Sequence, residues 1–382
     1  MSIREKMNLF GPAWVALLSN ADAASFIGGY ITGLEYGLRL VWFIMVLSIP
    51  LYVIQEASGR VGAVTGSGIG GIIRERYSAK LALTSIIPIF SVDLFTYLCE
   101  YAGIGIGFML MGLNPITGII LAFIFHLLVF TSGKLSDAER ILIGISGVLL
   151  TTSLIFVFPF HPVTSIFYFS PTEKFLLFMA VNVGAVVTPP CMPVYQSYST
   201  AVKYGTIRGN TSEKLSWLSR ETILGSVATE GIIVFAEILG ARGFPTAVLS
   251  PDFLPRNFIL GFLLVVAGFL ALVVVSLASS WGVLEIFGSN RKRENALILY
   301  VLESFPALVI VAIYGNFLGL MNFAVSILSV SPIVITLPLL ILGIVVSNRK
   351  IMGSNAYSSA RSIVYFITLV FVFLMGVIGL AS

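Results

Sequence analysis

Two stretches of this chain leave little choice of environment. Residues 258–287, FILGFLLVVAGFLALVVVSLASSWGVLEIF, and 362–381, SIVYFITLVFVFLMGVIGLA, are almost unbroken apolar runs. About 20 such residues in a helix cross the hydrocarbon core of a bilayer. The rest of the chain follows suit: of 382 residues, 57% are hydrophobic and 10% charged. Soluble domains carry about 25% charged residues. The sequence therefore predicts an all-α membrane protein. The basic start, MSIREKMNLF, runs directly into an apolar stretch with no small-residue cleavage signal, so a first membrane helix is expected there and not a signal peptide.

Eleven spans are predicted, at about 11–33, 37–60, 81–111, 115–132, 140–158, 174–202, 221–241, 257–287, 296–316, 319–347 and 362–380. With the N-terminus in the cytoplasm, only Arg39, Lys174, Arg242 and Arg256 of the 22 lysines and arginines fall outside. The other 18 fall inside, which is the basic bias that orients membrane proteins. This pattern puts the C-terminus outside and explains the net charge of +4 without any nucleic-acid partner. The predicted surroundings are a plasma-membrane bilayer, with no loop long enough to fold alone. Nothing in the sequence speaks to oligomeric state. Cys99 and Cys191 both sit in apolar context and suggest neither a disulfide framework nor a zinc site.

The sixth span contains GAVVTPPCMP, residues 184–193. Pro189, Pro190 and Pro193 cannot all lie in one intact helix, because proline removes a backbone donor and collides with the preceding turn. Non-helical backbone at membrane depth persists only where it is buried or lines a cavity. Such a break points to a binding site, and inverted-repeat carriers break a second helix at the corresponding place. Five spans earlier stands GPAWVALLSNADAASFIGGYITG, with Asp22 among small polar residues. An ionisable residue at that depth is costly and reads as functional. The predicted architecture is a single transporter domain over 1–382. Repeat one covers about 11–158, repeat two about 174–347, and one extra helix about 362–380.

These stretches resemble the NRAMP family of divalent-metal transporters, which have a LeuT-like five-plus-five fold with helices 1 and 6 broken. The resemblance rests on GPAW leading into Asp22, ASGRVGAVTG (57–66) with IRERY (73–77), and EYAGIGIG (100–107). GAVVTPP (184–190), FPALVIVAIYG (305–315) and LPLLILGIVVSNRKIMG (337–353) extend it over nearly the whole chain. Three positions depart from the family's pattern. Its Asp-Pro-Gly-Asn is here Asp22-Ala23-Ala24-Ser25. Its Met-Pro-His is here Thr188-Pro189-Pro190. An acidic residue three before Glu100 is here Tyr97.

The resemblance implies a divalent metal ion as substrate, no cofactor, and no enzymatic activity. Position by position it implies Asp22 as charged ligand, Ser25 and Thr188 as hydroxyl ligands or water holders, and the carbonyls of Ser19 and Ala185 as backbone ligands. Glu100 and Cys191 fall on the possible pathway. Replacing methionine by threonine leaves hard oxygen donors, which suit Mg²⁺ or Mn²⁺ better than soft transition metals. This resembles the magnesium-transporting NRAMP-related subgroup. Replacing histidine by proline removes the side chain best suited to relay protons near neutral pH. Weak or absent proton coupling is therefore expected. His126 and His161 are not placed near either break, and Asp93, Glu230, Glu237, Glu285 and Glu303 read as interhelical pairs or mouth residues. Two alternatives stay open: a proton-coupled Mn²⁺/Fe²⁺ importer, with Cys191 or Met192 restoring a soft ligand, and an amino-acid transporter of the same fold.

Overall fold

The computed structural model describes residues 3–131, 135–157, 167–187, 191–206, 210–241, 254–288 and 293–381. Among these residues every regular element is a helix. Seven helices are long and apolar enough to cross a membrane: α4 (Val41–Thr65), α6 (Ala79–Leu110), α8 (Leu135–Val157), α11 (Thr211–Ala241), α12 (Leu254–Phe287), α13 (Arg293–Tyr314) and α17 (Ser359–Ala381). An eighth crossing forms if α14 (Phe317–Leu328) and α15 (Ser331–Ser347), bent by 41° at a short break, count as one. The apolar helix α7 (Pro115–Thr131) is shorter, at 17 residues.

The first predicted span is divided into α2 (Pro12–Leu18) and α3 (Ala23–Tyr36), after a short α1 (Ile3–Leu9). The sixth is divided into α9 (Glu173–Asn182), a wide π-turn at Val183–Val187, and α10 (Met192–Gly205). Two short helices, α5 (Ile69–Arg76) and α16 (Arg349–Met352), lie in connections. The described helices therefore place elements in each predicted stretch, and the two stretches expected to break are each divided into shorter pieces.

The main packing partners are α3 with α11, α10 with α4, α4 with α11, and α6 with α12. A shift of five spans turns the first pair into the second, because it exchanges the first span with the sixth and the second with the seventh. Close approach is achieved with glycine. A methyl group added at Gly33 would overlap the carbonyl of Glu237, and one at Gly240 would overlap the carbonyl of Tyr30. Without side chains at these two points, α3 and α11 pack backbone to backbone, as small residues allow in membranes.

The helix ends are held by distant carboxylates. Glu221 on α11 accepts hydrogen bonds from the amides of Gly11 (2.8 Å) and Trp14 (2.9 Å) at the start of α2. The first four amides of a helix have no partner within it, and here one buried carboxylate serves two of them. Glu237 accepts from the Leu40 amide at 3.2 Å before α4, and Glu285 from the Gly68 amide at 3.1 Å before α5. The expected interhelical pairs are thus, for these two glutamates, contacts to backbone. Glu230 is buried, and neither of its carboxylate oxygens has a partner among the described residues.

Candidate functional site

The first break runs over residues 19–22. Asp22 has extended backbone (φ −81°, ψ −178°) and caps α3, its Oδ1 accepting from the Ser25 amide at 2.7 Å. The amide of Ala24 also donates to Asp22. The amide of Ala23 donates instead to Glu100 Oε2 of α6, at 3.1 Å. In a continuous helix these three amides would bond the carbonyls four residues earlier, those of Ser19, Asn20 and Ala21. Two carboxylates thus take the helix's own donors and leave three carbonyls without them. The Pro-Gly pair of the family's pattern is not needed for the break, because Asp22 and Glu100 supply competing acceptors.

The second break begins in the π-turn, a distortion common at functional sites. Thr188, Pro189 and Pro190 lie outside the described residues, so the expected Thr188 ligand has no described position. The turn itself meets the first break. Ser25 Oγ donates to the carbonyl of Ala185 at 3.0 Å. Nearby, Ser331 Oγ donates to the carbonyl of Gly184 at 3.3 Å. Ser19 Oγ donates to Ala16 O at 2.8 Å and approaches Met192 Sδ at 3.2 Å. Asp22, Ser25 and Ala185 are therefore brought together with Glu100 beside them, whereas Ser19, at the start of the break, meets Met192.

All of these groups are buried, Asp22 being 1% exposed and Glu100 0%. Yet neither carboxylate has a basic partner. The ion pairs of Arg60 with Glu56, Lys174 with Glu35, and Lys203 with Glu139 all lie elsewhere. Buried charges without a pairing side chain are costly unless they hold a metal or stay protonated. Two oxygen-rich groups were overlooked in the sequence. Asn20 sits in the first break with neither side-chain amide atom bonded, and Asn182, directly before the π-turn, has an Oδ1 without a partner among the described residues. Asn182 also donates to Thr32 Oγ1 on α3 at 3.0 Å, a second tie between the broken helices. Asn20 was visible in the SNADAAS segment as an uncharged polar side chain in an apolar run. Among the described residues no three of His, Cys, Asp and Glu converge.

Cys191 and His126 lie on a separate polar chain. The Cys191 thiol hydrogen-bonds to Asp93, whose Oδ2 accepts from Ser279 at 2.5 Å. Glu303 accepts from the Tyr97 hydroxyl at 3.3 Å; that hydroxyl pairs with Ser276 at 2.6 Å, and Ser276 with His126 Nε2 at 2.6 Å. Tyr300 meets His126 Nδ1 at 3.1 Å. Where the family's pattern has an acidic residue at position 97, the nearby carboxylate is Glu303, carried by α13. Cys191 bonds α6 and not the first break, whereas Met192 approaches that break directly.

Paired helix breaks that face each other in a bundle of apolar helices define the LeuT-like class of membrane carriers. The chain belongs to the Nramp family: the profile for natural resistance-associated macrophage protein-like sequences matches residues 13–382. A Klebsiella pneumoniae protein named divalent metal cation transporter MntH is 25% identical over 210 residues, 53% of this chain and 51% of that protein. The chain's matches span between 26% and 51% of the length of such curated relatives. The crystal structure of the Eremococcus coleocola manganese transporter with an aromatic bis-isothiourea compound superposes with TM-score 0.78. It is 13% identical and covers 98% of this chain and 86% of its own. MhsT in complex with L-phenylalanine superposes with TM-score 0.60 at 15% identity, over 97% of each chain. At these identities the two structures establish the shared fold.

Proposed function

We propose that this protein carries divalent metal cations across the membrane by alternating access, with Mn²⁺ and Mg²⁺ as the fitting ions. The observation that carries this reading is the junction of the two breaks. Asp22, a buried carboxylate without a basic partner, stands one helical turn from the Ser25–Ala185 hydrogen bond. A divalent cation would supply the missing positive charge. Asp22, Ser25 Oγ and the carbonyls of Ser19 and Ala185 make up a hard oxygen set in this reading, with Asn20 and Asn182 as further oxygen donors and Thr188 as the hydroxyl expected from the sequence. Such ligands favour Mg²⁺ and Mn²⁺. Mg²⁺ keeps several of its waters, which asparagines and serines can hold.

The reading includes eleven spans, two five-span repeats over about 11–158 and 174–347, and an added helix near 362–380. The exchange of packing partners between α3–α11 and α10–α4 supports the repeat. The basic bias supports a cytoplasmic N-terminus and an external C-terminus. Proton coupling is weak or absent in this reading. Its support is that both ring nitrogens of His126 are engaged by Ser276 and Tyr300, and not by Asp22, Ser25 or Ala185; His161 lies outside the described residues.

A second reading has its own observation. Met192 Sδ lies 3.2 Å from Ser19 Oγ, so a soft donor could join the site and favour transition metals. Uptake into proteoliposomes separates the two. Mg²⁺ and Mn²⁺ influx without internal acidification, lost in Asp22→Ala, supports the hard-oxygen site. Cd²⁺ influx that disappears in Met192→Leu supports the thioether. Amino-acid uptake with no metal flux overturns both.

A further inference from the structure

A second polar cavity lies well away from the helix breaks, at the end of the bundle where the basic residues concentrate. Its volume is about 610 Å³, and it opens between α4, α11 and the start of α17. Arg60, Arg220 and Arg361 line it, with Ser216, Ser219 and Asn355; among the described lining residues none is a carboxylate, and Glu56 behind them is bonded to Arg60 and Ser219. Arg60 is committed: it pairs with Glu56 at 2.5 Å and reaches the carbonyl of Asn355 at 3.5 Å. Arg220 and Arg361 are exposed. Neither guanidinium makes a hydrogen bond or ion pair with another side chain among the described residues. Arg220 and Arg361 therefore both line a serine-rich cavity without a carboxylate partner among the described residues. That donor set matches the oxygens of a phosphate group, which arginine recognises through paired N–H donors.

The neighbourhood indicates which phosphate. A mainly apolar groove of about 210 Å³ adjoins the cavity and shares Arg361 with it. Tyr52, Val53, Tyr357, Ala360 and Val364 line this groove, and the Glu56 carboxylate in it is taken up by Arg60 and Tyr357. Ile223 and Val364, each 49% exposed, carry the apolar surface onward along α11 and α17. A free phosphate ion has no use for such a groove, whereas an acyl chain does. Basic pockets between membrane helices are where acidic headgroups bind. We propose that an acidic phospholipid seats its headgroup between Arg220 and Arg361 and lays an acyl chain in the groove, tying α17 to α4 and α11. The site is independent of the ion carried at the breaks.

The test uses the full chain, purified in mild detergent, stripped of lipid and offered phosphatidylglycerol or phosphatidylcholine. Bound lipid is read by native mass spectrometry. Wild type retains phosphatidylglycerol in preference to phosphatidylcholine. Each basic side chain near an anionic lipid is worth about 5-fold in affinity, so Arg220→Ala/Arg361→Ala binds about 30-fold more weakly. Arg220→Lys/Arg361→Lys keeps the charges and recovers most of the preference, which shows that the alanine variant lost charge and not its fold. Equal retention by wild type and the alanine variant overturns the proposal. So does an absence of preference in wild type. Displacement of the lipid by millimolar inorganic phosphate, which would protect the protein against heat as well as the lipid does, would instead mark a free-anion site.

Discussion

Asp22 has two roles in this structure that a single substitution can separate. Its Oδ1 accepts from the Ser25 amide at 2.7 Å and so starts α3, and its charge is the proposed attraction for the cation. Asparagine caps helices about as well as aspartate, whereas alanine costs about 1 kcal/mol. Asp22→Asn therefore keeps the cap and deletes only the charge. A divalent ion about 4 Å from a carboxylate gains roughly 8 kcal/mol in a medium of effective dielectric constant 20, twice the value for two unit charges. Desolvation of both groups offsets most of this. If a quarter survives, the loss is about 2 kcal/mol, or roughly 30-fold in affinity. The assay is Mn²⁺ binding by calorimetry on the purified protein, beside thermal melting without metal. The expected result is a melting temperature close to wild type and metal affinity at least about 30-fold weaker. Asp22→Ala should lower both. Metal affinity within a factor of about 3 of wild type in Asp22→Asn would refute the charge argument.

Further outcomes follow from other contacts. Glu221→Ala removes the shared acceptor of two buried amides, each costing about 1–3 kcal/mol when left unpaired, so thermal melting should shift well below wild type. Gly33→Val forces a side chain into the carbonyl of Glu237 and should destabilise by about 1–3 kcal/mol through separation of α3 from α11, read by the same melt. Ser25→Ala leaves the Ala185 carbonyl without its donor and should weaken Mn²⁺ uptake more than it lowers the melting temperature. Glu35→Gln breaks the exposed pair with Lys174 and should leave melting and uptake unchanged, since surface pairs contribute little.

Membrane residence and helical class were written in the sequence, because both follow from local composition. Apolar runs of about 20 residues and a shortage of charge leave a chain few alternatives. The place of the first break was legible through Asp22, since an aspartate among small residues at that depth has few other uses. The family was legible through the order of several short stretches. Other features depend on residues far apart in the chain. Glu100 takes the amide of Ala23 across 77 positions, and Glu221 takes that of Gly11 across 210. The link between the breaks, Ser25 to Ala185, spans 160. No periodicity or spacing encodes such pairs, because a hydrogen bond needs only two groups at one place and the fold alone decides which groups arrive there. His126 shows the same limit. In the sequence it is a lone histidine in an apolar run. In the tertiary structure it closes a chain of hydroxyls that leads to Glu303. The sequence alone determined that this chain lives in a membrane and breaks a helix at Asp22. Which polar groups meet at that break was decided only when the helices packed, because burial removes water and makes each remaining partner count.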